Sequence, residues 1–266
     1  MCSFVEMKIE FFKYHGTGND FILIDNRTNV FDATNHLLIE RICNRHFGIG
    51  ADGLILLNNS KKHDFAMQYF NADGFEGSMC GNGGRCVVAF AKKMGIIKNE
   101  TFFEAIDGLH YATIDGDNIS LQMTDVSQIK KHQSHFFLDT GSPHHVVMVD
   151  GIDAYPVYDK GREIRYGKPY FDAGTNVNFV EQVNADTFKV RTYERGVENE
   201  TLSCGTGVTA VAISMFEQGK SKRHSIRLET LGGNLEVSFK KQKDNYHSIF
   251  LKGPASLVFE GTYLIN

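Results

Sequence analysis

Apolar residues alternate with polar ones along much of the chain, and that period of two predicts a sheet-rich protein. Strands are expected near residues 8–14, 21–25, 54–58, 64–70, 101–106, 109–114 and 118–123. They are expected again near 145–149, 176–182, 186–193, 224–230, 234–239 and 247–252. Helical spacing appears at about 35–46, where His36, Leu37, Ile39, Ile42, Cys43 and Phe47 recur, and at 81–94 and 205–218. The runs 84–94 and 208–216 are apolar on nearly every side, which predicts buried helices. The longest apolar runs, such as 54–57 and 256–259, are far too short to span a bilayer.

The pattern repeats. Met79-Cys80-Gly81-Asn82-Gly83 opens one buried helix and Ser203-Cys204-Gly205-Thr206-Gly207 opens the other, with the two cysteines 124 residues apart. Gly50-Ala51-Asp52 and Gly174-Thr175-Asn176 are also 124 apart, as are Tyr69 and Tyr193, and Gly18-Asn19-Asp20 stands 123 before Gly141-Ser142-Pro143. Matches in one register point to an internal duplication, and the period is too long for a solenoid. The expected architecture is α+β: two homologous halves related by a pseudo-twofold axis. Each half is a curved, mostly antiparallel, barrel-like sheet around a central helix, with the active site between them. The first half covers 1–126, completed by a C-terminal strand at about 255–266, and the second covers 127–254. The polar, lysine-bearing stretch 125–135 is the expected linker.

Composition narrows the function. With 42% hydrophobic and 23% charged residues and a net charge of −4, nothing argues for nucleic acid or an acidic membrane as partner. The first sixteen residues carry charges among the apolar ones and do not read as a signal peptide. Five cysteines are an odd count without an export signal, so reduced thiols in the cytoplasm are expected. No cysteine or histidine pair has zinc spacing, so no metal is expected.

A thiol just before a helix is chemically distinct from a buried one. The unpaired amides and the helix dipole favour thiolate over thiol, and glycines leave room for a small carboxylate on the same amides. Cys80 and Cys204 therefore each combine an acid–base group with an anion cradle. Two such corners facing each other suit proton exchange on opposite faces of one carbon. Cys43 and Cys86 read as core residues, and Cys2 as a terminal residue without a role.

Several segments resemble diaminopimelate epimerase: His15-Gly16-Thr17-Gly18-Asn19-Asp20-Phe21, Gly48-Ile49-Gly50-Ala51-Asp52-Gly53, Asn71-Ala72-Asp73-Gly74 and the Cys80 corner. Pro143-His144, Asn176-Val177-Asn178-Phe179, Tyr193-Glu194-Arg195-Gly196 and the Cys204 corner follow in family order. The cysteine corners alone would fit proline racemase-like enzymes as well. Asn-Ala-Asp-Gly and Glu-Arg-Gly make the likeness specific. The resemblance implies an isomerase converting LL- to meso-diaminopimelate without any cofactor, in lysine and peptidoglycan precursor biosynthesis. It implies a small-molecule substrate as partner, a cytoplasmic location, and room for a homodimer.

The resemblance also assigns residues. Cys80 and Cys204 are the acid–base pair, with Cys80 the base for the LL isomer and Cys204 for the meso isomer. His144 and Glu194 adjust the thiols' protonation. Asn19, Asn71, Asn176, Glu194 and Arg195 hold the distal end of the substrate, while Gly81, Asn82, Gly205 and Thr206 hold the reacting carboxylate. Read from the residues alone, a forked guanidinium at Arg195 suits a carboxylate but also an ordinary surface turn. His144 could be a satisfied structural histidine, as His145 is expected to be. Glu194 could simply pair with Arg195 or Arg191, and the asparagines could be turn residues. Two departures stand out. Ser142 replaces the asparagine usual before Pro-His, leaving a shorter hydrogen-bonding group as a candidate contact. Gly53 stands where some members carry glutamine.

Rival chemistries lack support. The glycine run 48–53 formally matches a dinucleotide loop, but a helix precedes it and a strand follows, the reverse of what such a loop needs. There is no Walker motif and no lysine in a pyridoxal phosphate context.

Overall fold

Leu54-Ile55-Leu56-Leu57 is the most continuous apolar run of the first half, and it is buried on both faces. The computed structural model, which describes residues 7–265, shows why. Leu54 and Leu56 pack with Ile39, Ile42 and Cys43 of helix α1 (His36–Cys43) on one face of the strand Gly53–Asn58. Ile55 approaches Gly83 of helix α2 (Gly81–Lys93) on the other. A strand covered on both sides has no use for alternation. Helix α1 starts where the Asn35 side chain accepts from the Leu38 amide at 3.1 Å.

The chain divides into two compact units. One runs to Ile119 and takes in the chain from Pro254 onward; the other is Ser120–Gly253. In the first, Met7–Gly16 and Asn19–Asp25 form an antiparallel hairpin. Its two turn residues, Thr17 and Gly18, have φ of 49° and 87°, the left-handed turn whose twist suits a hairpin. Asn19–Asp25 runs parallel to Gly53–Asn58, with α1 in the crossover. Gly53–Asn58 is antiparallel to Phe65–Asn71. That strand is parallel to Glu100–Ala105, with α2 in the crossover, and Glu100–Ala105 is antiparallel to Gly108–Asp115. Ser256–Ile265 pairs with Met7–Gly16.

The second unit shows the same succession. Phe136–Asp139 is antiparallel to Pro143–Met148, which is parallel to Asn176–Asn184 across helix α3 (Val157–Tyr166). Asn176–Asn184 is antiparallel to Thr187–Glu194, which is parallel to Ser225–Thr230 across helix α4 (Gly205–Glu217). Gly233–Gln242 and Asn245–Pro254 complete the run antiparallel. Helix α4 packs against strands from both ends of this succession, and α2 and α4 are buried almost throughout. The fold is α+β, with two homologous halves of one topology.

Three expectations change. Helix α3 and the short 3-10 turn Ile152–Ala154 have no counterpart in the sequence reading. Helix α3 buries only Val157, Gly161 and Arg165, with Ile164 partly buried against the same apolar cluster, so its apolar stripe is too sparse to stand out in the sequence. Gly161 is there because α3 rests on an aromatic ring: a Cβ on it would lie 2.3 Å from Tyr193. Short strands Ile129–Lys131, Phe136–Asp139 and Asn199–Thr201 also went unforeseen. Finally, the strand register repeats at 123. Phe21 faces Gly53 as His144 faces Asn176, and Leu54 faces Phe70 as Val177 faces Tyr193. The cysteine corners sit at 124 because the link from strand to helix is one residue longer in the second half.

Cys43 and Cys86 are buried, and burial pushes the Cys43 thiol up to about 12 and Cys86 higher still. Cys2 lies outside the described residues. Among these residues, no helix is long and apolar enough to cross a membrane.

Candidate active site

In the first unit, Cys80 is the N-cap of α2, and its half-buried sulfur accepts from the Gly83 amide at 3.2 Å. A sulfur receiving an amide hydrogen at the positive end of a helix is suited to carry charge. Gly81 and Asn82 are the first helical residues, whose amides have no acceptor within the helix. A Cβ on Gly83 would lie 3.3 Å from both Cys80 Sγ and Ile55 Cδ1, the ends of two side chains.

The Asn82 side chain lies at the centre of a polar chain. Its Nδ2 donates to Asn19 Oδ1 at 3.2 Å, and Asn19 Nδ2 donates to Asp52 at 2.7 Å. Arg45 grips Asp20 with two bonds and reaches Asp52 at 2.7 Å, while Lys13 pairs with Asp20 at 2.7 Å and donates to the Gly50 carbonyl. Burial alone would raise the pKa of Asp20, but the bonds from Arg45 and Lys13 prevail and hold it well below the carboxylate range. Asn71 is exposed at the end of its strand, with its backbone engaged by the turn to Phe75.

The second corner is built differently. Cys204, 6% exposed, is the N-cap of α4, with its sulfur 3.5 Å from Thr206 Oγ1. Thr206 Oγ1 lies 2.9 Å from Nε2 of His144, whose Nδ1 lies 3.0 Å from Asn178 Nδ2. Asn178 Nδ2 also donates to the His145 carbonyl at 3.2 Å, and its Oδ1 accepts from Thr192 at 3.0 Å. A carbonyl only accepts, so the amide orientation is fixed, and with it the direction of the chain. Nδ1 of His144 accepts, Nε2 carries the proton and donates to Thr206, and the threonine hydroxyl hydrogen is left for the Cys204 sulfur. His144 has no exposed surface, and burial, with help from the Arg195 charge, pushes its pKa down to about 3. Its imidazole is therefore neutral.

The remaining expected residues gather beside this corner. Asn176 Nδ2 donates to Ser142 Oγ at 2.8 Å and to the Pro143 carbonyl at 3.1 Å, and its Oδ1 accepts from the Arg195 amide at 2.9 Å. Ser142 thus secures the asparagine that holds the Glu194-Arg195 turn. Arg195 is exposed, with its guanidinium on the Ala173 carbonyl at 3.0 Å. Glu194 accepts from Thr201 at 2.9 Å, and Arg191 is engaged by Glu200. Gly205 is the first residue of α4. His145, expected to be structural, is buried against Tyr170 with its Nδ1 2.9 Å from the phenol oxygen.

The sequence profile described as diaminopimelate epimerase matches residues 11–129 and 136–258. The diaminopimelate epimerase of Flavobacterium psychrophilum is 55% identical over 96% of this chain and the whole of that relative. That of Chlorobaculum tepidum is 44% identical over 93% of this chain and 98% of its own. This chain belongs to the diaminopimelate epimerase family. Among solved structures, a Bacillus anthracis phenazine biosynthesis protein of the PhzF family is similar with a TM-score of 0.78 at 16% identity, covering 97% of this chain and 99% of its own. A hydroxyproline epimerase from Agrobacterium vitis is similar with a TM-score of 0.69 at 14% identity, covering 97% and 93%. At those identities the likeness is one of fold.

As a diaminopimelate epimerase family member the chain is an isomerase, and one of its departures from the family pattern has a visible cause. A Cβ on Gly53 would lie 2.5 Å from both the Phe70 carbonyl oxygen and the Tyr69 ring, so Tyr69 fills the space a glutamine would need. Residues that sequence reasoning passed over include Asn178 and Thr192 at the second corner and Arg45, Asp52 and Arg85 at the first. Asn178 had a readable signal. It lies two residues beyond Asn176, so both side chains point from one face of a strand whose other face is apolar.

Proposed function

We propose that this protein catalyses the reversible epimerisation of LL- to meso-diaminopimelate, with Cys80 and Cys204 as the two acid–base groups and no metal or pyridoxal phosphate. One observation carries the reading: each half places a cysteine as N-cap of its buried helix, followed by small residues that open the first amides. One thiolate takes the α-proton and becomes a thiol. The electron pair left on carbon delocalises into the carboxylate, where helix amides stabilise the added charge. The other thiol returns a proton to the opposite face and becomes a thiolate, so the carbon is inverted and the two sulfurs exchange protonation states.

Gly81, Asn82, Gly205 and Thr206 hold the reacting carboxylate. Asn19, Asn71, Glu194 and Arg195 take the distal amino acid end, with Arg195 on its carboxylate; Asn176 and Ser142 support that turn. Cys80 serves the LL isomer and Cys204 the meso isomer, and His144 acts as a neutral hydrogen-bond donor. The setting is lysine and peptidoglycan precursor synthesis in the cytoplasm. The test is α-proton exchange in deuterated water with purified protein, comparing LL- and meso-diaminopimelate with proline. Exchange of proline alone would move the protein to the racemase branch, and full activity in Cys204→Ala would rule out the two-thiol reaction.

A further inference from the structure

Arg85 has no exposed surface, yet it carries a guanidinium in a helix of otherwise apolar and small buried residues. Its contacts are to neutral acceptors: the Gly81 carbonyl and Asn82 Oδ1 at 3.0 Å, Thr17 Oγ1 at 3.2 Å and the Pro254 carbonyl at 3.4 Å. Burying a cation without a counter-charge is costly. Burial draws its pKa down to about 10, opposed by attraction to the sulfurs of Cys86 and Cys80.

The surrounding charges do not balance it. Lys13 and Arg45 are matched by Asp20 and Asp52 within their own network. Burial keeps Cys86 a thiol and pushes Tyr14 up to about 12, so neither supplies an anion. His15, on the adjoining hairpin, accepts from the Gly18 amide through Nδ1 at 3.2 Å and brings no negative charge. What remains is Cys80 itself and whatever anion rests on the first amides of α2.

The repeat supplies a control within the molecule. Thr209 stands 124 residues after Arg85. Its Oγ1 donates to the Gly205 carbonyl at 2.9 Å, just as Arg85 donates to the carbonyl of Gly81. Both side chains tie back the first residue of their helix; only the first one is charged.

We infer that Arg85 is a positioning residue whose buried charge holds the anions of the first corner, so that Cys80 and not Cys204 is the ionised thiol of the resting enzyme. The anions meant are the Cys80 thiolate and, resting on the proposed reaction, the substrate's reacting carboxylate. A cation stabilises a neighbouring thiolate more than the neutral hydroxyl of Thr206 stabilises Cys204.

The test is pH-dependent alkylation of the whole enzyme by iodoacetamide, with Cys80 and Cys204 read separately by peptide mass spectrometry. In the natural protein Cys80 should react with an apparent pKa at least about one unit below that of Cys204. Arg85→Thr should raise the Cys80 value by about one to two units, a roughly 10- to 100-fold smaller thiolate fraction at neutral pH, and leave Cys204 unmoved. Arg85→Lys should restore most of the shift. Equal or reversed order in the natural protein, or an unmoved Cys80 profile in folded Arg85→Thr, overturns the inference. If Arg85→Thr does not fold, the natural order and Arg85→Lys still decide. Alkylation needs no substrate, so this result is independent of which amino acid exchanges its α-proton.

Discussion

Asn178 donates its side-chain amide to Nδ1 of His144 at 3.0 Å, and the same nitrogen is pinned by the His145 carbonyl at 3.2 Å. This bond decides what His144 can do. An imidazole held neutral with its proton on Nε2 is a donor toward Thr206, and it does not take up protons near neutral pH. Replacing Asn178 by aspartate inverts the bond, because a carboxylate accepts where the amide gave. The imidazole proton moves to Nδ1 or a second proton binds. Asn178→Asp should lower kcat by about one to two orders of magnitude, as losing an outer partner of a functional histidine does, with KM changed little. Nitrogen-15 NMR of the His144 ring should show Nε2 protonated at neutral pH in the natural protein and altered in the variant. An Nδ1-protonated ring in the natural protein would contradict the direction of the chain.

Thr206 is the last link to the sulfur, at 3.5 Å from Cys204. Thr206→Val keeps the volume and removes the hydroxyl. A hydrogen bond to a charged group contributes about 1.5–3 kcal/mol, so the apparent pKa of Cys204 should rise by about one to two units. Cys80, which receives the Gly83 amide instead, should not move, and Thr206→Ser should stay close to the natural value. Site-resolved alkylation reads all three.

The cysteine corners were legible because the same unusual string occurs twice: a thiol, then small residues, then a buried helix. The buried strands were legible by the same patterns, including Asn176–Asn184 and Gly53–Asn58. Arg85 was hidden because the apolar run that follows it dominates any average over the helix, although a lone arginine inside a buried helix was itself a signal. The ion-pair network of Lys13, Asp20, Arg45 and Asp52 draws on segments far apart in sequence, and no local pattern encodes such a meeting. Helix α3 escaped notice because its apolar face amounts to Val157 and Ile164, while Gly161 resting on Tyr193 and Arg165 bonding Glu198 supply contacts that no hydrophobic pattern shows.

Acid should destabilise the protein through its histidines before its carboxylates. Burial pushes both His144 and His145 down to about 3, His145 with added repulsion from His135 and His132, whose rings form a stack with it. Both are neutral in the folded state above that value, whereas in the unfolded chain each binds a proton below about pH 6.5. Between about pH 6.5 and 3 the unfolded state therefore holds more protons, and stability falls as pH falls. At pH 5 the loss is about 2 kcal/mol for each of the two histidines. Carboxylates held low, such as Asp20 and Glu217, lose their contribution only as pH falls below about 5. Denaturant unfolding at several pH values should show a proton uptake on unfolding that rises from about one at pH 6.5 to about two at pH 5, with about one fewer at pH 5 in His144→Gln. A flat profile over that range would refute buried neutral imidazoles.

Equivalent glycines of the two corners should respond differently to the same substitution. A Cβ on Gly207 would lie 2.4 Å from Asn178 Oδ1, and Asn178 cannot yield because Thr192, His144 and the His145 carbonyl hold both ends of its amide. Gly207→Ala should therefore cost about 1–3 kcal/mol by overpacking, and the displaced amide should disturb His144 as Asn178→Asp does. At Gly83 the nearest atoms are Cys80 Sγ and Ile55 Cδ1 at 3.3 Å and Met67 Cε at 3.4 Å, all ends of side chains that can shift by tenths of an ångström. There the gain in helix propensity, about 1 kcal/mol, offsets most of the crowding, so Gly83→Ala should leave stability within about 1 kcal/mol of the natural protein. Thermal unfolding of the two variants side by side measures the difference. Equal losses would mean that the amide of Asn178 is free to move, and the fixed direction of the His144 chain would fall with it.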